Sequence, residues 1–300
     1  MLRPRAAATT RTLVVFAVLV LVIQAACSDK PRQTLLNQHI EARRLSAEAR
    51  IQFAKATDAS NRSVMGGTDE LSASAAKEAG QATLLVRQNL LALQVLLQEL
   101  DYPNERQILD RFNRVFAEYL KIDETILTLS VENTNRKAER LALGPARESA
   151  DAFRQALEPV TRSVAAKDLW HAEALVSAAT AASFEVQAVM ARHIASADEP
   201  MMSALEAQMS SAFSAAKDAL DGLRVLVSRT SLPAVDEAAS ALGRLRATEE
   251  EIVQFSRLST NTRSLELSLG HKRAITATCD ATLTELADAI IEHDFKATRY

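Results

Sequence analysis

The hydrophobic positions between residues 108 and 129 form a regular seam. Apolar side chains recur there in alternating steps of four and three: Ile108, Phe112, Val115, Tyr119, Ile122, Ile126 and Leu129. This spacing is typical of helices packed against one another in a bundle. A looser seam of the same kind runs through the last forty or so residues and includes Cys279, Leu283 and Ile290. Because each stripe needs other helices to cover it, the pattern predicts several packed helices.

Helix-breaking residues separate the long periodic stretches. Candidate turns lie at residues 61–68 and 101–104, at Pro200 and at residues 231–233. The whole chain of 300 residues has only 7 glycines, 7 prolines and 4% aromatic residues. Few turn formers and many good helix formers predict an all-α protein with long helices.

Part of the sequence recurs further along the chain. Thr134 and Asn135 match Thr260 and Asn261, and Leu143-Gly144 matches Leu269-Gly270, at a constant shift of about 126 residues. We therefore predict two tandem antiparallel helical-bundle modules, residues 35–162 and 163–300. Trp170 is expected to anchor the junction between them.

The first 27 residues have the features of an export signal. Three arginines precede an apolar run at 13–23, which is followed by Ala25, Ala26 and Cys27. The run is short for a permanent membrane span. It resembles a bacterial lipoprotein signal, although Gln24 stands where that family has an apolar residue. The resemblance implies cleavage of residues 1–26, a lipid on Cys27 and a tether at 27–34. An uncleaved anchor and ordinary signal cleavage remain alternatives.

All three interpretations place the rest of the chain outside the cytoplasm. The lipoprotein resemblance implies attachment to the membrane through Cys27, facing the periplasm. Ser28 is not the aspartate that favours retention in the inner membrane in this family. The outer membrane is therefore slightly preferred.

The mature part carries a second resemblance. Phe116-Ala-Glu-Tyr-Leu-Lys-Ile-Asp-Glu-Thr-Ile-Leu and Glu132-Asn-Thr-Asn-Arg-Lys-Ala are similar to the periplasmic four-helix-bundle sensory domain of chemoreceptors and sensor kinases. That resemblance implies binding of a small anionic solute or of a partner envelope receptor, and homodimers are a further candidate. The alternative is a structural lipoprotein, a spacer or scaffold that binds protein partners only. The chain departs from the family because it carries no signalling domain, so we expect it not to signal across a membrane alone.

A polar block interrupts the apolar pattern after each long seam. It comprises Asn133, Asn135, Arg136 and Arg140 in the first module and Asn261, Arg263 and Arg273 in the second. Arginine offers a fork of donors that suits a carboxylate, so the block is a candidate ligand-binding site. Asparagine also favours helix caps and turns, and a polar layer can set bundle register. The helix turn is predicted either at Asn133–Asn135 or at Gly144–Pro145.

Composition argues against several other functions. The net charge of −3 disfavours nucleic-acid binding, which needs a basic patch. The sequence carries no catalytic motif, no metal-ligand pattern and no phosphate-cradling loop. We therefore predict no enzyme activity, no cofactor and no metal. Cys279 falls on an apolar seam and is interpreted as a buried packing residue.

Overall fold

The computed structural model describes residues 9–297, with side chains from residue 34 to residue 293 apart from Ser163. The side chains of the predicted signal and of Cys27 lie outside the described residues, so lipidation stays a prediction. The described chain is all-α, which confirms the predicted fold class.

Ten α-helices follow one another along the described residues. They are α1 (Thr9–Met65), α2 (Asp69–Glu99), α3 (Pro103–Glu132), α4 (Thr134–Leu141), α5 (Arg147–Leu157), α6 (Leu169–Ala195), α7 (Glu199–Leu226), α8 (Leu232–Leu258), α9 (Thr260–Leu267) and α10 (Arg273–Ala297). Two five-residue π-helical segments, Ala142–Ala146 and Ser268–Lys272, join α4 to α5 and α9 to α10. A 3₁₀ turn spans Val160–Ser163.

Local chemistry sets the helix boundaries. The Thr68 hydroxyl accepts the Leu71 N–H at 3.2 Å at the start of α2, and the Asp198 carboxylate accepts the Met201 N–H at 2.7 Å at the start of α7. These side chains satisfy amide groups that have no partner inside the first turn of a helix. Pro103 opens α3 at a position where a missing N–H costs nothing. The breaks therefore lie at or close to the predicted turns.

The chain forms two compact units that interleave in sequence. One comprises the described parts of Met1–Asp58, Glu78–Leu120 and Ala274–Tyr300, and the other comprises Ala59–Lys77 and Lys121–Arg273. The predicted modules instead follow one another along the chain. Their boundaries concern the internal repeat and stay a prediction.

A cluster of aromatic residues lies in the core of the first unit. Phe53 of α1 meets Tyr119 of α3 edge-on at 5.1 Å between ring centroids, and Phe112 stacks on Phe116 at 5.2 Å. Cys279 is fully buried, as expected. Ile108, Phe112, Tyr119 and Ile126 of the predicted seam are also buried, whereas Val115, Ile122 and Leu129 are half-buried. The seam is therefore confirmed as a packing face at four of its seven positions.

Small and aliphatic side chains fill the core of the second unit. Helices α5, α6, α7 and α8 pack together there. Among residues 34–293, α6 is the helix whose length and apolar composition would let it cross a membrane. Its buried Ala179, Val186 and Met190 belong to this core. Packing against α7 therefore accounts for the buried part of its apolar composition, which is 33% of the apolar window.

The segments around the two π-helices correspond closely. Both α4 and α9 have eight residues and are followed by a π-helical segment of five. Each is preceded by a left-handed residue, Asn133 at φ 54° and Ser259 at φ 49°. The correspondence covers residues 133–147 and 259–273, and a repeat through the rest of the chain stays a prediction.

Candidate functional site

The three asparagines of the predicted polar block lie where α4 and α9 begin, in the second unit. Asn133 breaks the helix between α3 and α4 with a left-handed backbone, which asparagine tolerates better than most residues. Pro145 lies inside a π-helical segment that continues into α5. Of the two predicted turn positions, the structure therefore has the one at Asn133.

The first residues of α4 and α9 cap each other's helix. The Thr134 N–H donates to Thr260 Oγ1 at 3.0 Å, and the Thr260 N–H donates to Thr134 Oγ1 at 3.3 Å. The N–H groups of Asn135 and Asn261 likewise donate to each other's side-chain oxygen, both at 3.1 Å. A helix start normally takes its cap from its own chain segment. Here each helix is capped by the other, and we call Asn133, Thr134, Asn135, Thr260 and Asn261 the polar junction.

The asparagine amide groups are also engaged within the protein. Asn135 Nδ2 donates to the Ile194 carbonyl at 2.8 Å, and Asn261 Nδ2 donates to Asn133 Oδ1 at 2.6 Å. Asn133 Nδ2 donates to Asp69 Oδ1 at 2.5 Å. The three predicted asparagines therefore come together and bond to protein groups, as the capping interpretation expects.

The four predicted arginines do not converge on one site. Arg136 pairs with Glu139 at 2.8 Å and Arg140 pairs with Asp69 at 2.8 Å, both on the surface. Arg263 and Arg273 are exposed and make no ion pair with a residue that the structure describes. Ligand binding by these arginines stays a prediction.

Asp69 is held ionised beside the polar junction. Burial alone would raise the pKa of its carboxyl group, but the hydrogen bonds from Asn133 and Arg140 outweigh burial and lower that pKa. The carboxylate thereby fixes the amide of Asn133, the residue at which the helix breaks.

A buried ion pair lies elsewhere in the second unit and was not predicted. Lys272 is 2% exposed, and its ammonium group lies 2.6 Å from Asp123 Oδ1. The Ser60 hydroxyl donates to the same carboxylate at 2.6 Å and also contacts the Lys272 ammonium. Burial lowers the pKa of Lys272, and the charge of Asp123 opposes that change. Asp123 follows Tyr119 by four residues and precedes Ile126 by three. This spacing is that of a core residue, and it is the feature of the sequence from which the burial of Asp123 could have been predicted.

A second buried network centres on His193, which is fully buried. Its Nδ1 lies 2.6 Å from Ser256 Oγ, and its Nε2 lies 2.9 Å from Glu206 Oε1. Arg257 donates two hydrogen bonds to the Glu206 carboxylate, at 2.7 and 2.9 Å. The Arg257 guanidinium is the main reason that the pKa of Glu206 is lowered, and the bond from His193 adds to it.

The serine, histidine and glutamate of this network have the connectivity of a hydrolytic triad. Ser256 is fully buried, however, and its hydroxyl also donates to the Ile252 carbonyl at 2.8 Å. A nucleophile must reach its substrate. The geometry is therefore that of a structural network that holds α6, α7 and α8 together.

Neither a protein-family model nor a curated protein matches the chain.

Metal and thiol chemistry finds no support among the described side chains. No group of three or more histidine, cysteine, aspartate or glutamate residues is arranged there to hold a metal ion. Burial raises the pKa of the Cys279 thiol to about 12, so this thiol is protonated and unreactive at neutral pH.

The predicted site residues line none of three surface cavities described in the structure. One of about 330 Å³ lies beside Gln94 and Asp110, and one of about 500 Å³ lies beside Pro145 and Thr248. A groove of about 290 Å³ runs between α7 and α8 over Phe213.

Proposed function

We propose that the protein is a cell-envelope lipoprotein, anchored through Cys27, whose non-catalytic helical bundle binds a protein partner such as an envelope receptor. The anchor rests on the resemblance of the first 27 residues to a lipoprotein signal. The choice of a protein partner over a small solute rests on the structure of the second unit.

The hydrogen bonds within the polar junction favour a protein partner over a small solute. A solute site needs convergent donors that are available to the solute. Here Asn133, Asn135 and Asn261 donate to one another or to nearby protein groups. Arg136 and Arg140 are paired with carboxylates. The asparagines and two of the four candidate arginines are therefore occupied within the protein, and the exposed Arg263 and Arg273 have no such asparagine donors left to act with them.

Trp170 offers a contact point for a protein. Trp170 is predicted from the sequence to anchor a junction between modules, but it is 72% exposed at the start of α6. Its ring stacks on His171 at 5.4 Å between centroids, which restrains it. Tryptophan is enriched among the residues that contribute most to binding at protein interfaces. An exposed and restrained tryptophan therefore favours partner binding.

Site-specific photo-crosslinking in the producing cells tests the proposal. A photoreactive residue in place of Trp170 is expected to give one covalent adduct of discrete mass, identifiable by mass spectrometry. Val225 is a matched control because it is 84% exposed in the same unit. No adduct at position 170, or the same adducts at both positions, would contradict partner binding there and favour a spacer.

A thermal-shift screen against organic acids and aromatic carboxylates tests the competing interpretation. We expect a flat response. A saturable rise in melting temperature that is lost in Arg136→Ala or Arg263→Ala would overturn our choice and establish a solute-binding bundle.

A further inference from the structure

Helix α2 is apolar on two opposite faces. One face lies in the core and includes the buried Val86, Leu93 and Leu97. On the opposite face Leu84, Leu91 and Val95 are 54%, 66% and 56% exposed. One exposed leucine is ordinary, but three within twelve residues of one helix face form a patch that marks an interaction surface.

The exposed face has the spacing of a helix-packing seam. Leu84, Gln88, Leu91 and Val95 follow one another in steps of four, three and four, which keeps them on one side of the helix. Gln88 is the polar member near the middle of this outer seam. A polar residue at such a position commonly sets register between paired helices.

Two charged residues end the outer seam symmetrically. Lys77 precedes Gln88 by eleven residues and Glu99 follows it by eleven, and eleven residues make about three helical turns. Both therefore lie on the same side as the seam. Lys77 makes no ion pair with a described residue, and Glu99 accepts a hydrogen bond only from the neutral Gln38 at 2.6 Å. The seam thus begins with an uncompensated cation and ends with an uncompensated anion.

The outer seam of α2 is complementary to the same seam of a second copy when the two helices run antiparallel. A two-fold axis at Gln88 would place Lys77 of one copy opposite Glu99 of the other. It would also bring Leu84 of one copy to within one residue of the level of Leu91 of the other, and would place Val95 opposite Gln81. Parallel pairing would instead place Lys77 against Lys77 and Glu99 against Glu99, which is unfavourable. We propose that α2 binds α2 of a second copy of this chain in antiparallel orientation, with Gln88 on the two-fold axis. This inference does not depend on the function proposed above.

Disulfide cross-linking of the full chain tests the orientation. Gln88→Cys is expected to give a covalent dimer on mild oxidation, because position 88 meets its own copy. Gln81→Cys is the matched control, an exposed glutamine on the same face. Antiparallel pairing separates the two positions 81 by about 21 Å along the helices, whereas a disulfide needs Cα atoms within about 7 Å. The buried Cys279 contributes little background, and the parent chain measures it together with Cys27.

Each outcome of the cross-linking decides the proposal. A dimer with Gln88→Cys alone supports it. Dimers with both variants would establish parallel pairing, and a dimer with neither, or an adduct with another protein, would also overturn it.

Association measured by analytical ultracentrifugation of the full chain in mild detergent tests the surface itself. Lys77→Glu and Glu99→Lys are each expected to weaken association about tenfold, and the double exchange is expected to restore it. Leu91→Gln should abolish association without loss of helicity, since Leu91 is already exposed in one copy. Unchanged association in these single variants would overturn the proposal.

Discussion

Thr134 and Thr260, 126 residues apart in the chain, each accept the backbone N–H of the other, and their hydroxyl oxygens lie 3.1 Å apart. Neither α4 nor α9 takes a cap from its own preceding residue. The stability of each short helix therefore depends on the other.

This mutual capping predicts non-additive losses of stability. Thr134→Val and Thr260→Val should each lower the free energy of unfolding by about 1 kcal/mol, because each removes a cap and its hydroxyl partner. The double variant should cost less than the two together, with a coupling of about 0.5 kcal/mol or more in urea unfolding. Thr125→Val, on an exposed face of α3, serves as the control. Strictly additive losses would contradict the arrangement.

The Lys272–Asp123 pair predicts that one substitution lowers the free energy of unfolding by a large amount and that two substitutions together lower it by a small amount. Lys272→Met should cost about 3–5 kcal/mol, because it leaves the Asp123 carboxylate buried without its cation. Adding Asp123→Leu should recover most of that loss, since apolar residues of similar size can replace a buried pair. Urea unfolding measures both. Lys121→Met, at an exposed lysine, should change little, and an equally small effect of Lys272→Met would show that the pair is not buried.

The burial of Glu249 predicts that the free energy of unfolding depends on pH. Burial raises the pKa of this carboxyl group above its ordinary 4.5, and the neighbouring Glu250 and Glu206 add to the effect while Arg246 opposes it. The folded state therefore holds the proton to a higher pH than the unfolded state does. Its favourable contribution is complete below about pH 4.5 and is lost as the pH rises through the raised pKa.

Glu249→Gln should consequently stabilise the protein by about 1 kcal/mol at pH 7 and by little near pH 4. Unfolding titrations at several pH values measure this. Glu206→Gln should behave in the opposite sense, because the pKa of Glu206 is lowered and its stabilising contribution is lost as the pH falls through that pKa. The same pH dependence in Glu249→Gln and in the parent chain would refute the assignment.

The His193 network is expected to stabilise the fold, and its Ser256 is expected not to act as a hydrolytic nucleophile. A fluorophosphonate probe should leave Ser256 unlabelled, because the hydroxyl is inaccessible. Ser256→Ala should lower the free energy of unfolding by about 1 kcal/mol through the lost hydrogen bonds. Labelling of the folded parent chain that disappears in Ser256→Ala would instead establish a nucleophile.

The lipoprotein resemblance predicts where the chain resides. Cys27→Ala should release the protein from the membrane fraction or block its processing, because the lipid can no longer be attached. Cys279→Ala controls for loss of a cysteine as such, and should remain in the membrane fraction. Membrane attachment of a normally processed Cys27→Ala variant would refute lipidation.

The sequence was informative wherever structure follows from local periodicity. The steps of four and three identified Phe112, Tyr119 and Ile126 as core residues, and the breakers located the main turns. The recurrence of Thr-Asn at 134 and 260 marked two segments that proved alike in structure. It did not reveal that they touch, because a shift along the chain carries no information about distance in space.

Buried polar contacts between distant segments could not be predicted in this way. Lys272 stands between His271 and Arg273, which is typical of an exposed helix face. Its burial depends on Ser60 and Asp123, which other helices supply. The ion-pair partners of two candidate arginines could not be predicted either. Their chemistry suits a carboxylate, but Arg136 and Arg140 have partners in Glu139 and Asp69.

The shared cap also imposes an order of events on the growing or translocating chain. Helix α4 is complete as a segment once about 141 residues have emerged, yet its first amide groups have no acceptor until Thr260 and Asn261 follow. Until then the start of α4 is exposed to fraying, since an isolated helix of eight residues is unstable in water. Folding around this point must therefore wait for the last seventh of the chain, and truncation before residue 260 would leave the start of α4 without its cap.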